Sequence, residues 1–150
     1  AFNMLGLLLV PCFLTAASMA QQSIRFEHCG GSKILSAVVT PCDSDPCVVP
    51  VGTDIRVDFK VRSNQNSETV TFDPRVVVKG MKLPIPGVET DACKSGAVSC
   101  PVRKGEIIEG TIRAPVLSFL PSMTVTTMWK ILGSKGQIAC GSTKVTVTRG

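Results

Sequence analysis

The sequence predicts an all-β protein, an immunoglobulin-like β-sandwich of two antiparallel sheets. Apolar and polar residues alternate strictly in the segment IRVDFKVR (55–62), which is typical of a half-buried antiparallel strand. Further segments rich in β-branched residues recur between turns that contain glycine or proline, and this spacing is typical of sandwiches. No segment shows a sustained helical period of 3.6 residues. An up-and-down barrel is the main alternative.

The individual strands follow from the same period of two, and six to eight of them are expected. In the segment 55–62, Ile55, Val57, Phe59 and Val61 point to one face and the charged residues to the other. The shorter candidates are SIRFEH (23–28), KILSAVVT (33–40) and EIIEGTIR (106–113). The polar segment SNQNSE (63–68) predicts a turn, after which TVTFDPRVVV (69–78) resumes an extended run. Within that run Pro74 marks an edge or a bulge, because proline has no N–H for a ladder hydrogen bond.

The last third of the chain predicts a long hairpin. MTVTTMWKIL (123–132) places one set of alternate residues on a common face: Met123, Val125, Thr127, Trp129 and Ile131. GSKG (133–136) then turns the chain into QIAC and TKVTVT. In contrast, KLPIPGVETDAC (82–93) predicts a loop, because its two prolines cannot donate to a ladder. The apolar residues of that loop raise the question of what they contact.

The first twenty residues predict a secretory signal peptide. They contain no charged residue, an apolar block from Leu5 to Leu14 and the small-residue exit Ser18-Met19-Ala20, the pattern that a signal peptidase reads. We therefore expect a signal peptide at 1–20, one domain at 21–150 and a secreted, extracellular protein. The formal net charge of +5 lies entirely in that domain.

Six cysteines follow residue 20, and in a small secreted domain they predict three disulfides rather than a metal site. Cys42 and Cys47 flank a tight turn, as do Cys93 and Cys100. Bridges at these two places would leave Cys29 to pair with Cys140. Six cysteines allow fifteen connectivities, and spacing alone leaves the others open.

The residues give little support for an enzyme. The chain has one histidine, His28, and no serine-hydrolase, zinc-protease or phosphate-binding motif. Acidic residues in loops form turns more commonly than they bind a metal ion. The acidic loop residues here are Asp43, Asp45, Glu89 and Asp91. We therefore expect no catalytic residues, no metal and no cofactor. The basic residues are scattered over predicted strands, which argues against nucleic acid as a partner and leaves transient contact with an anionic membrane surface open.

The order of several motifs resembles the ML lipid-recognition domain, in particular the small secreted Niemann–Pick type C sterol-transfer proteins and the mite group-two allergens. The motifs run in this order: HCGG, VVTPCDSDPCVVPVG, VVVKGMKLPIPGVETDACKSGAVSCPVRKGE, APVLSFLPS and TTMWKILGSKGQIAC. The resemblance covers residues 24–149. It implies a sandwich with the bridges Cys29–Cys140, Cys42–Cys47 and Cys93–Cys100.

The resemblance also implies a cavity between the sheets for an apolar lipid, with no reaction catalysed. When the motifs of the family are matched to this sequence, the resemblance implies that the proline-rich loop places Leu83, Ile85 and Pro86 on one side of the cavity mouth. The loop before the tryptophan strand places Pro115, Val116 and Leu120 on the other side. The residues expected to line the interior are Val39, Val49 and Trp129.

The expected function is therefore binding and transfer of a sterol, a fatty acid or a similar apolar ligand. The sterol binders of the family often carry aromatic residues where this chain has Ile85 and Leu120, and the chain contains no tyrosine. Aliphatic residues keep the site apolar but give no flat surface for a rigid ring system, which favours a flexible chain. The alternative function is innate-immune recognition, in which the protein binds a microbial lipid and then a protein receptor.

Overall fold

The computed structural model describes residues 11–12 and 26–150, so most of the predicted signal peptide lies outside the described residues. Nine strands occur in the described part of the chain, and no helix there is long and apolar enough to cross a membrane. The strands are β1 (Glu27–Gly31), β2 (Ile34–Thr40), β3 (Cys47–Pro50), β4 (Asp54–Arg62), β5 (Thr71–Val78), β6 (Met81–Pro84), β7 (Ile107–Pro115), β8 (Met123–Gly133) and β9 (Gly136–Thr148).

The strands form two sheets, as the fold class predicted. The larger sheet has the order β1-β9-β8-β5-β6, with β3 also paired to β9, and the smaller has the order β2-β4-β7. All pairs are antiparallel except β3 with β9, which is parallel. The chain changes sheets between β2 and β3, so β3 enters the larger sheet from a crossover rather than from a hairpin.

The core lies between the two sheets. The four apolar residues predicted to face inward from β4 are all buried: Ile55, Val57, Phe59 and Val61. Phe59 of the smaller sheet meets Phe72 of the larger sheet edge to face, with ring centroids 5.6 Å apart. Aromatic pairs in this geometry contribute about 0.5–1.5 kcal/mol beyond their buried area, so this contact helps to hold the layers together.

The long hairpin is confirmed, with a two-residue connection, Ser134–Lys135, between β8 and β9. Its second strand is continuous over Gly136–Thr148, so the segments QIAC and TKVTVT belong to one strand. Of the predicted strand 23–28, only residues 26–28 are described, and β1 begins at Glu27. Strand β3 was not expected from the sequence.

The prediction of a loop throughout 82–93 is wrong at its start. Residues Met81–Pro84 form the edge strand β6, which pairs with β5 from Val78 to Arg75. Pro84 is the last residue of this strand and lies at the edge of the sheet, where a missing N–H is tolerated. The loop begins only at Ile85.

Pro74 also lies where its missing N–H breaks no pairing. Its carbonyl oxygen accepts a hydrogen bond from the Ile85 N–H at 3.1 Å, on the side of the strand that faces β6. Since the N and C=O of one strand residue point the same way, the ring nitrogen faces away from β8. The register with β8 shows no shift at Pro74, so this position is not a bulge. Pro74 lies one residue beyond the stretch of β5 that pairs with β6, where the sheet has a local edge.

The polar segment 63–68 is more ordered than the predicted turn. Ser63, Gln65 and Ser67 are buried, and the side chains of Gln65 and Ser67 bond backbone groups at the tip of the β8–β9 hairpin. Oε1 of Gln65 accepts the Lys135 N–H at 2.9 Å, and Oγ of Ser67 accepts the Ser134 N–H at 2.9 Å. These side chains supply partners for backbone groups that the short turn leaves unpaired, and buried groups of this kind require them.

The structure contains the three disulfides that the family resemblance implied. Cys29–Cys140 joins β1 to β9, Cys42–Cys47 closes the crossover between the sheets, and Cys93–Cys100 closes part of the connection between β6 and β7. The first bridge spans 111 residues of sequence, against 5 and 7 for the other two. It therefore restricts the unfolded chain far more than the local bridges do.

Candidate functional site

An apolar cavity of about 150 Å³ lies between the sheets. The larger sheet contributes residues of β5, β8 and β9, and the smaller sheet contributes Ile55 of β4 and three residues at the end of β7 and just after it. The connections after β6 and before β8 complete the lining. The cavity is therefore enclosed by strands on two sides and by connections at its mouth.

Six of the nine residues expected to contact the ligand line this cavity: Ile85, Pro86, Pro115, Val116, Leu120 and Trp129. The other three do not. Leu83 lies on β6 with 41% of its surface exposed, while Val39 and Val49 are buried in the core and are not among the lining residues. A ligand role for any of the nine stays a prediction.

Ten further residues line the cavity that the sequence did not identify, and all of them except Leu117 lie on strands. They are Ile55, Val76, Val78, Ala114, Leu117, Met123, Val125, Thr127, Val145 and Val147. A signal for several of them was available: since Trp129 faces the cavity, the period of two places Thr127, Val125 and Met123 on the same side. No comparable signal identifies β9 as the neighbouring strand, because pairing partners distant in sequence are set by the whole fold.

The smaller-sheet side of the mouth is fixed by backbone hydrogen bonds. The Val116 N–H donates to Thr53 O at 2.8 Å, and Val116 O accepts the Gly52 N–H at 2.7 Å. On the opposite side, the bond from Ile85 to Pro74 positions the start of the proline-rich loop. Both sides of the mouth are thus attached directly to strand ends, which places apolar side chains over the cavity.

Gly87 brings the two sides into contact. A Cβ built on Gly87 would lie 2.7 Å from Cγ of Pro115, closer than carbon atoms can approach. Gly87 also has a φ of +80°, a conformation that costs an L-residue roughly 1–2 kcal/mol. Glycine therefore meets two requirements here, the backbone conformation and the close approach of the loops.

Replacing Gly87 by alanine should separate the two loops as well as strain the backbone. Gly96 is a matched control, because its φ is +77° but no atom lies within 4 Å of a Cβ built there. We expect G96A to lower the free energy of unfolding by about 1 kcal/mol and G87A to lower it further. Denaturant unfolding measures both, and equal losses would show that the Pro115 contact has no energetic consequence.

Polar groups in the cavity are already paired. Among the described residues that line the cavity, Thr127 alone contributes a side-chain hydroxyl. It donates to Thr143 O at 2.9 Å and accepts a hydrogen bond from Nε1 of Trp129 at 2.8 Å. Since the hydroxyl proton and the indole N–H are both engaged, the cavity interior offers a ligand no free side-chain donor.

The residues considered for catalysis or metal binding make contacts with nearby backbone groups. Nε2 of His28 lies 2.9 Å from Gly31 O in an exposed position. Oε1 of Glu89 accepts the Asp91 N–H, and Oδ1 of Asp91 accepts the Lys94 N–H, which are turn contacts. In the described residues, no three His, Cys, Asp or Glu side chains are grouped so that they could hold a metal ion.

The outer face of the smaller sheet is polar and contrasts with the cavity. Arg56 bonds Asp58 at 3.0 Å, and Oγ1 of Thr111 donates to Asp58 at 2.6 Å. Partial burial raises the pKa of the Asp58 carboxyl, but these bonds and the charges of Arg56 and Arg113 together hold that pKa below its ordinary value. This polar face is in contact with solvent, whereas the other face of the smaller sheet is apolar and buried. The alternation in β4 predicts this difference.

Comparison with known proteins identifies similar sequences along nearly the whole domain. The profile of the ML domain family matches residues 23–147. NPC intracellular cholesterol transporter 2 of Mus musculus is 30% identical over 138 residues, which cover 90% of this chain and 91% of the relative. Mite group 2 allergen Pso o 2 of Psoroptes ovis is 30% identical over 132 residues, or 88% and 91% of the two chains.

A solved structure shows the same fold. The Niemann-Pick type C2 protein from Japanese carpenter ant superposes with a TM-score of 0.74 at 23% sequence identity, covering 83% of this chain and all of that one. At this level of identity the likeness shows the fold alone.

Proposed function

The chain belongs to the ML domain family, and from this premise we propose that it binds an apolar lipid between its two sheets and carries it outside the cell. The family match confirms the resemblance inferred from the sequence motifs. The observation that carries the proposal is the apolar cavity enclosed by both sheets. Every lining side chain except that of Thr127 is apolar, and apolar lining is the usual composition of a small-molecule site.

Affinity for a lipid comes mainly from burial of its hydrocarbon, at about 25 cal/mol per Å² of apolar surface removed from water. Pockets for small molecules typically measure about 300–1,000 Å³, whereas the cavity here measures about 150 Å³. Entry of a whole lipid therefore requires the cavity to widen. Widening is expected at the mouth, because connections are less constrained by ladder hydrogen bonds than strands are.

A mouth that opens toward a membrane surface would allow loading and transfer. Phe119 lies between the β7 and β8 strands with 74% of its surface exposed, next to Leu120, which lines the cavity. One short connection therefore presents an aromatic ring to the outside and a leucine to the ligand. An exposed aromatic beside a lipid site supports transient membrane contact, aided by the net charge of +5.

Secretion is part of the same proposal. The signal peptide expected at 1–20 and the three disulfides both favour an oxidising extracellular compartment. The proposal includes no reaction and no cofactor, since binding and release of a lipid require neither.

Native mass spectrometry of the protein, purified from the medium of expressing cells, tests the function directly. We expect a complex with one lipid, whose mass is identified after extraction, and we expect the delipidated protein to take up an added fluorescent lipid. A protein that is secreted empty and takes up neither a fluorescent sterol nor a fluorescent fatty acid would contradict the proposal. Extraction of a bacterial glycolipid with a stable protein partner would point to immune recognition instead.

A further inference from the structure

The cavity cannot accommodate an ionised or strongly polar ligand group in its interior. The single side-chain hydroxyl in the lining, that of Thr127, has its proton engaged by Thr143 O. An unpaired polar group transferred into apolar surroundings costs several kcal/mol, and an unpaired charge costs more. The polar end of an amphiphilic ligand must therefore remain at the mouth, and the groups located there determine which head is accepted.

Arg149 follows β9 and is bonded to the connection between β7 and β8, which forms one side of this mouth. Its Nη1 donates to Leu120 O at 3.0 Å and to Ser118 O at 3.3 Å, while its backbone N–H donates to Oγ of Ser122 at 3.3 Å. Leu120 lines the cavity. The guanidinium is thus within hydrogen-bond distance of the backbone of a residue that lines the cavity.

The charge of Arg149 is not neutralised by the described part of the chain. The three ion pairs found there involve Arg56, Lys60 and Arg75 instead. Asp54, which lies opposite Pro115 in the β4–β7 register, makes no ion pair with Arg149 within 4.0 Å.

The donors of Arg149 are only partly used. A guanidinium has five N–H donors, and the bonds from the Arg149 side chain to the connection engage Nη1 alone. Nε and both protons of Nη2 have no hydrogen-bond partner among residues 26–150, so they are available to an exposed ligand head. Planar donors in this arrangement match the geometry of a carboxylate.

We propose that Arg149 recognises the ionised head of a long-chain carboxylic acid whose hydrocarbon chain occupies the cavity. This inference rests on the proposed function and specifies its ligand class. It requires only that the head stay at the mouth while the chain enters between the sheets. The aliphatic residues Ile85 and Leu120 fit a flexible chain, as the sequence indicated.

A comparison of palmitic acid with hexadecanol tests the proposal, because the two differ only in the head group. Binding is followed at pH 8 by the fluorescence of Trp129, the single tryptophan, which lines the cavity. We expect the delipidated wild-type protein to bind the acid roughly 10-fold more tightly than the alcohol, the lower end of the range for hydrogen bonds to a charged group. Raising the salt concentration from 0.1 to about 1 M should reduce this preference.

The variant R149Q should weaken binding of the acid roughly 10-fold and change binding of the alcohol less than about twofold. R149K should keep part of the preference, since it retains the charge but not the planar donors. K82Q, which removes an exposed cation from β6, is the matched control and should leave both affinities unchanged.

Two results would overturn the assignment. Equal wild-type affinity for the acid and the alcohol would show that the head is not recognised, although lipid binding itself would stand. Equal weakening of both ligands by R149Q would show that Arg149 only holds the connection in place. If neither ligand bound the wild-type protein, the proposed function itself would fail.

Discussion

Replacing both Cys29 and Cys140 by alanine should lower the free energy of unfolding by about 5 kcal/mol. The bridge between them spans 111 residues, and on the chain-entropy model the stabilisation grows with the length of the closed loop. The same change at Cys42 and Cys47, whose bridge spans 5 residues, should cost only about 2 kcal/mol. Cys140, Cys42 and Cys47 are buried and Cys29 is half-buried, so the packing defect of the long-range variant is no larger than that of the local one.

Denaturant unfolding of the delipidated proteins measures this difference. Trp129 is 5% exposed and reports the transition through its fluorescence. Natural domains commonly have a free energy of unfolding of about 5 kcal/mol or somewhat more. If the wild-type value is below about 5 kcal/mol, the double variant should be unfolded even without denaturant, and that result meets the expectation. Equal losses for the long-range and the local bridge would contradict the dependence on loop length.

The strands with regular alternation were predicted from the sequence because one face of each is buried. The apolar residues of β4 and the buried residues of β8 fall at every second position, and burial of one face enforces that pattern. Strand β6 was missed because its four residues are all exposed and the segment contains prolines. At the edge of a sheet neither feature prevents pairing, so the information needed to predict β6 lies in its neighbour β5.

The candidate site was predicted better at its mouth than in its interior. The family motifs identified five residues of the two mouth segments that line the cavity, among them Ile85 and Val116. Leu83 was expected beside them but belongs to β6 and is exposed. Interior lining depends on which strands face each other across the sandwich, and this depends on contacts between distant parts of the chain. Arg149 was missed for the same reason, because its partners Ser118 and Leu120 precede it by about thirty residues.

Replacing Ala114 by leucine should weaken the binding of a long-chain lipid while leaving the fold intact. Ala114 lies on β7, is 2% exposed and lines the cavity opposite the larger sheet. The three added carbon atoms would occupy space that the end of a hydrocarbon chain needs. If three methylenes of the ligand are excluded, the loss is about 2.4 kcal/mol at about 0.8 kcal/mol each, or a roughly 50-fold weaker affinity.

The stability of this variant should not fall, because filling an existing cavity typically adds about 0.5–2 kcal/mol. The control A97L adds the same atoms at a half-buried position outside the cavity lining and should leave lipid affinity unchanged. A ligand series sharpens the measurement: an acid shorter by three methylenes should bind A114L and the wild-type protein about equally. If A114L folds normally and binds palmitic acid as tightly as the wild-type protein does, the hydrocarbon chain does not occupy the cavity between the sheets.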